Sequence, residues 1–457
     1  MLAASLFLVV ASLPTGCANI TPGQSPAASG WRIKFEGSGS SPAIADGVLY
    51  VGSADGAVYA VDARTGETKW RFQTGESLSP ATSGPQIITV SPGASGGEQM
   101  AAGIRAAQSR SETGIRRVDM TPTLERGMVF VGAGDHSFYA INAATGKREW
   151  AYEAGPGMAS MNNMSYPVPA PLVDNGTVYC VTDDGVHALD MKTGMKKWLH
   201  PARGAIGRPA VGLVDGDRLV FVAARGFLDA VSAGSGTKKW KAILDGSSVT
   251  QPVAAGELVF VATHRGPLSG SDREETLHGI DASDGQIRWK LAAERRFGES
   301  RLLSTGPSVY FATDMVVSAV EARSGRLLWS FRADEIQGDL AADDRYLYVL
   351  TYRRSILGAG TTLHALSLGT GEKQWSRRLS GPEDIREVRQ GVVYTSRSAI
   401  DASTGKTLWS FGGTGRESTR LISGDQVFLI SSTVTYFGTN RVDQGYLYAI
   451  DAKTGKP

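Results

Sequence analysis

The sequence predicts an all-β fold, a β-propeller of four-stranded antiparallel blades, and three observations carry that prediction. A small residue is followed ten positions later by tryptophan in eight places: Ala60–Trp70, Ala140–Trp150, Ala188–Trp198, Ala230–Trp240, Gly279–Trp289, Ala319–Trp329, Ala365–Trp375 and Ala399–Trp409. Self-similarity at a period of roughly 40 residues marks stacked or radial repeats. A turn glycine recurs before each tryptophan, from Gly66 to Gly405, and again at Gly455. Finally, a ninth copy, YAIDAKTGKP, stops before its tryptophan, while GWRIKF near the other end supplies Trp31. A unit split between the two ends of a chain describes a ring closed on itself, which leaves no ragged sheet edge.

Each element of the unit follows from its residues. A weak first strand, as in SPAIADG, precedes an apolar strand bearing an aromatic: Tyr50, Phe130, Tyr179, Phe221, Phe260, Tyr310, Tyr348, Tyr394 or Phe428. A hairpin follows, with Asp55–Gly56 as its clearest turn signal. The third strand reads Tyr or His, Ala, an aliphatic, then Asp, Asn or Ser. The next turn needs a glycine in the left-handed region, and its Asp can accept bonds from the turn backbone. The fourth strand carries Trp. Four antiparallel strands make a propeller blade. Nine units are counted, one of them split. The expected domain is residues 31–457, with an insertion at about 83–118.

Composition narrows the function. The chain has 457 residues, 56 of them glycine, and 47 basic against 45 acidic groups for a net charge of +2. That balance carries no clustered basic face, so a nucleic-acid partner is not expected. Two cysteines make no disulfide framework. Cys180 replaces the valines of sister strands and reads as core. His187, His278 and His364 fill a position that holds Tyr59, Tyr139 and Tyr448 elsewhere. Equivalent positions in different blades lie far apart, so the three do not converge on one metal. Met158, Met161 and Met164 are evenly spaced in GMASMNNMSY; such thioethers either fill gaps or hold a soft ion such as Cu(I).

The repeat resembles the pyrroloquinoline-quinone (PQQ)-type propeller family, whose A-x-D-x-x-T-G-K-x-x-W signature is called the tryptophan-docking motif. The resemblance covers residues 31–457 and implies that Trp31, Trp70, Trp150, Trp198, Trp240, Trp289, Trp329, Trp375 and Trp409 dock neighbouring blades. It also makes eight the favoured blade number, with nine as the literal alternative. Residues 2–13 are apolar and too short to span a bilayer, and Gly16–Cys17 follow. This resembles a bacterial lipoprotein signal, which implies a lipid on Cys17, a signal peptide over 1–17 and a tether over 18–30. Pro14 stands where that pattern has Leu, and no basic residue precedes the apolar run; an ordinary secretory signal is the alternative.

Repeat and signal together resemble the BamB-like envelope lipoproteins. That implies a non-catalytic, extracytoplasmic scaffold, anchored to a bacterial membrane by lipid, monomeric, binding protein partners and needing no cofactor. A PQQ-dependent oxidoreductase is disfavoured, because the adjacent cysteines and the acidic calcium site of that family have no counterpart here; a ligand or metal sensor is a third reading. Segments 71–120, 151–170, 264–276, 352–362 and 432–445 are the long connections. Strand order puts them on the face opposite the constant turn, as expected of a binding face. Within the largest, Met100, Ile104 and Ala107 share a helical stripe.

Overall fold

The computed structural model describes residues 31–36, 39–75, 118, 121–135, 137–154, 170–182, 184–205, 207–248, 250–266, 274–293, 297, 302–333, 335–353, 360–381, 383–411, 416–437 and 440–456. Among these the regular structure is strand throughout. The first unit shows the plan. Strands Ala43–Ala45, Val48–Gly52, Ala57–Asp62 and Thr68–Gln73 form one antiparallel meander.

Burial explains the sequence pattern of each strand. Thr177–Thr182, the second strand of the third unit, is buried at every position, because neighbouring units cover both its faces. Such strands read as continuous apolar runs rather than alternations. The fourth strand, Lys196–Pro201, buries only Trp198 and His200, so it alternates with charged and exposed residues.

Register explains the small residue. Across the first unit Tyr50 opposes Ala60, and Ala60 opposes Trp70. The alanine methyl leaves room for the two rings to meet over it, with centroids 5.8 Å apart. The same pairing recurs for Tyr179, Ala188 and Trp198, whose rings are 5.7 Å apart. A register shift follows the small residue, as between Ala60 and Val61 or Ala319 and Val320. This bulge sharpens the strand's bend just before the docking turn.

The N-terminal strand closes the fold. Arg32–Glu36 pairs antiparallel with Asn440–Asp451, from Arg32 opposite Tyr448 to Glu36 opposite Gln444. The last sheet therefore takes its outer strand from the beginning of the chain.

Eight sheets hold the nine units, because the fourth and fifth units share one. Strand Lys238–Ser248 runs on well past Trp240, and its Ser247 and Ser248 pair with His264 and Thr263 of the next unit. Within the fourth unit, Asp217–Ser232 serves as both second and third strand: its first part pairs with Ala210–Val214, its last part with Lys238–Ser248. Eight blades was the number the family resemblance favoured. Counted by units, the circuit described below returns to its start after nine, the literal repeat count.

Candidate functional site

Each unit has two ends, and their chemistry differs. At one end lies the turn before the tryptophan. In the first unit Asp62 Oδ1 accepts the backbone N–H groups of Arg64 and Thr65, both at 3.0 Å, and the Thr65 hydroxyl at 3.1 Å. The Gly66 N–H closes the turn on the Asp62 carbonyl at 2.9 Å. Asp190, Asp401 and Asp451 accept the same set of bonds. Burial opposes ionisation of Asp281, yet hydrogen bonds from Ser283 and Arg288 outweigh it and hold this carboxyl down at about 2.

Onto each turn sits the tryptophan of the preceding unit. Nine indole N–H groups donate to nine turn carbonyls at 2.7–3.0 Å: Trp31 to Ala63, Trp70 to Ala143, Trp150 to Met191, Trp198 to Ala233, Trp240 to Ala282, Trp289 to Ala322, Trp329 to Leu368, Trp375 to Ala402 and Trp409 to Ala452. Tyr50 donates to the same Ala143 carbonyl as Trp70, at 3.2 Å. Tyr310 does likewise with Trp329 at Leu368, and Tyr348 with Trp375 at Ala402. The indole lies flat on the turn glycine, so that a Cβ on Gly146 would stand 2.7 Å from the Trp70 ring. The recurring aspartates, glycines and tryptophans at this end hold the ring together.

The opposite end carries the second-to-third-strand hairpins and the exits of the fourth strands. Thr74 donates its N–H to the Gly56 carbonyl of its own hairpin at 2.9 Å, Ala202 to Asp184 at 3.1 Å, Ala333 to Met315 at 3.0 Å and Phe411 to Arg397 at 2.7 Å. The long connections therefore start beside the hairpins. Val118 returns to that place as well, its N–H on the Ser53 carbonyl at 3.0 Å. Three hairpins are lengthened as paired ribbon: the ladders run to Arg265 opposite Glu274, Arg353 opposite Gly360 and Phe437 opposite Asn440. The described parts of the five variable segments thus lie at one end of their units, and the constant turns lie at the other.

The individual candidates fall as follows. Cys180 is fully buried, and burial pushes its thiol well up, as for a packing residue. His187 bonds Asp184 at 2.9 Å and the Tyr152 hydroxyl at 2.7 Å; His278 bonds Thr263 at 2.9 Å; His364 bonds Thr351 at 3.0 Å. Each is held by a neighbouring side chain, with the buried Nδ1 of His278 left without a hydrogen-bond partner, and among the described residues no three metal-ligating groups stand together. Cys17, the stripe of Met100, Ile104 and Ala107, and Met158, Met161 and Met164 lie outside the described residues. One buried pair escaped the sequence reading: His200 meets Asp229 at 2.9 Å across the third and fourth units. Its signal was there, since two repeat columns that hold Phe72 and Tyr139 elsewhere change together.

Similarity to known proteins adds to this geometry. A family model described as "Outer membrane protein assembly factor BamB" matches residues 31–291, 203–314 and 312–457. The outer membrane protein assembly factor BamB of Moranella endobia is 23% identical over 275 residues, 52% of this chain and 66% of that protein. The match thus spans just under two thirds of the relative's length. Tetrathionate hydrolase of Acidithiobacillus ferrooxidans is 24% identical over 395 residues, 81% of this chain and 73% of that enzyme. Among solved structures, quinohemoprotein alcohol dehydrogenase from Comamonas testosteroni superposes with a TM-score of 0.51 at 13% identity, covering 93% of this chain and 77% of the other. That likeness is one of fold.

Proposed function

The chain belongs to the family of the outer membrane protein assembly factor BamB, and from that premise we propose that it is a non-catalytic propeller scaffold of the bacterial cell envelope, binding a protein partner through its hairpin end. One observation carries the reading. The recurring aspartates, glycines and tryptophans of the constant turns close each turn and dock it to the next unit, while among the described residues the lengthened hairpins lie at the opposite end. A fixed ring that varies on one face presents that face. The relatives named for outer membrane protein assembly support a partner that is itself a protein.

In this proposal Cys17 carries the lipid, residues 18–30 tether a monomeric ring to the membrane, and the protein works outside the cytoplasm. Changing Cys17 to Ser should abolish incorporation of labelled palmitate and release the protein from membranes. Incorporation that persists without Cys17 defeats the anchor. Affinity capture from solubilised membranes should recover a defined partner at stoichiometric yield, and a wild-type chain that recovers none defeats the scaffold reading.

The match to the quinone-type alcohol dehydrogenase subunit of Gluconobacter oxydans favours a second reading, an enzyme of the quinone type. The chain has no adjacent cysteines, and its repeated aspartates are occupied in turns. Adding PQQ and calcium to purified protein, with an alcohol and a redox dye, separates the two: dye reduction would establish the enzyme.

A further inference from the structure

Two repeat columns meet at the seams between units. One lies two residues after the tryptophan, the other one residue before the small residue of the next unit. At several seams large side chains fill the space between them. Phe72 meets Tyr139 and Tyr152 meets His187, each at 5.6 Å between centroids, while Phe331 meets His364 at 5.8 Å and Phe411 meets Tyr448 at 5.5 Å. His200 and Asp229 bond across the seam of the third and fourth units. Two units have serine in the second column, Ser318 and Ser398. Beside Ser398 a buried carboxylate takes up the room, since Glu383 accepts the Ser398 hydroxyl at 3.2 Å.

Beside Ser318 there is a cavity instead, of about 260 Å³. Leu291, which holds the first column here, lines it from the fifth unit, and Phe311, Val316, Ser318, Ser330 and Arg332 line it from the sixth. All of its lining residues are among those described. Ser318 opposes Ser330, and Val316 opposes Arg332, across the third and fourth strands of the sixth unit. Ser318 is buried, whereas Ser330 and Arg332 are exposed, so the cavity opens at the outer edge of the sheet.

Stacked sheets lie about 10 Å apart, so the space that small side chains leave between them is a flat slot. A planar ring fits such a slot better than a puckered one. Leu291, Phe311 and Val316 give it an apolar lining, and the hydroxyls of Ser318 and Ser330 can exchange a hydrogen bond with one polar substituent. Arg332 at the mouth favours the electron-rich face of an aromatic ring. Tyr59, Tyr139 and Tyr448 show what the same column holds elsewhere, a ring ended by a hydroxyl. An apolar cavity of about 150 Å³ admits benzene, so this larger one has room for a substituted ring. We propose that the seam between the fifth and sixth units is a binding site for a small phenol, a free molecule that takes the place of the ring the repeat supplies at other seams. The site goes beyond the scaffold reading and does not depend on it.

The test uses the full chain and 4-fluorophenol, with binding read by fluorine NMR. The phenol should bind saturably, with a dissociation constant on the order of 1 mM or tighter. Fluorobenzene, which lacks the hydroxyl, should bind about tenfold more weakly, the loss of one hydrogen bond. Cyclohexanol, which carries its hydroxyl on a puckered ring, should not displace the phenol. Ser318→Tyr puts the repeat's own side chain into the slot and should abolish binding. Ser318→Ala keeps the slot, removes one hydroxyl and should weaken binding about tenfold. Absence of saturable binding overturns the proposal, as does displacement by cyclohexanol as effective as by unlabelled phenol. Binding that survives in a folded Ser318→Tyr overturns it too; if that variant does not fold, unchanged binding in Ser318→Ala does the same. Loss of membrane-partner capture by a folded Ser318→Tyr would make the slot a socket for a partner's side chain and overturn the free ligand. A phenol that fails to bind leaves the scaffold reading as it stands.

Discussion

Trp31 donates its indole N–H to the Ala63 carbonyl at 3.0 Å, which joins the sheet that ends the chain to the unit that begins it. The bond belongs to a series of nine, and it is the one without which the ring has two ends. Trp31 also meets Phe428 at 6.0 Å between centroids and lies over Gly66. Trp31→Ala should cost about 3 kcal/mol, the lower part of the range for removing a buried aromatic, because Trp31 is only half-buried. Deleting residues 31–36 removes a whole ladder with it and should cost more. Chemical denaturation reads both. An unchanged midpoint in the deletion would mean that the closing strand holds nothing.

The turn glycines should behave differently from the surface around them. Gly146 and Gly325 both have φ of +69°, and a Cβ there would stand 2.7 Å from the Trp70 ring and 2.4 Å from the Trp289 ring. Alanine is strained by the backbone and also pushes the docked indole away. We expect Gly146→Ala or Gly325→Ala to destabilise by about 2–4 kcal/mol, combining a disfavoured φ with overpacking. Capture of a partner at the hairpin end should survive at temperatures where the variant stays folded. Loss of capture by a folded variant would place binding at the turn end.

Much of this fold is legible in the sequence because the physics repeats. The Ala60–Trp70 step can be read as a strand, a glycine turn and a strand, since a bulge and a flat indole tolerate no insertion. The split unit announces Trp31 in the same way. What escapes is whatever departs from the repeat without an obvious residue signal. Nothing in KAILDGSSVT distinguishes a fourth strand that stops from one that runs on to pair Ser247 with His264. Likewise a long connection and a long paired hairpin look alike in TVTYFGTNRVDQ, and only the ladder separates them. The site is less legible than the fold, because a binding face is defined by what varies, and variation has no motif.

His278 predicts an acid sensitivity within the ring. It is fully buried, accepts or donates a bond with Thr263 at 2.9 Å, and lies near Lys290 and Asp245. Burial, with Lys290 adding to it, lowers its pKa from 6.5 to about 4, so the folded state holds a neutral imidazole. The unfolded chain binds a proton on this group at a higher pH than the folded chain does. Stability from His278 is therefore complete above about pH 6.5 and drains away as pH falls toward 4. Between pH 7.5 and 5 the loss should be about 2 kcal/mol. Asp281 loses its bonds only nearer its own pKa of about 2, so it does not confuse that window. In His278→Gln, which keeps an acceptor for Thr263, the difference between the two pH values should shrink. An equal difference in both proteins would rule out His278 as its source.

The final expectation separates stability from binding at the hairpin end. Thr74 and Val118 are anchored on one hairpin, by bonds of 2.9 Å to the Gly56 carbonyl and 3.0 Å to the Ser53 carbonyl. The described residues on either side of 76–117 therefore stand at the same hairpin. A short glycine–serine link can replace that segment without moving either anchor, because Gly75 and Val118 keep their positions. Closing a shorter loop costs less conformational entropy, and a change of this size is worth only about 1–2 kcal/mol in either direction. The melting temperature should thus stay within a few degrees of the wild type. Partner capture from membranes should fall if the hairpin end binds the partner, since Thr74 and Val118, on either side of the segment, are both bonded to a hairpin at that end. A shortened protein that melts far lower would show that 76–117 is part of the fold. One that melts normally and captures its partner at full yield would leave binding to the other segments of the same face.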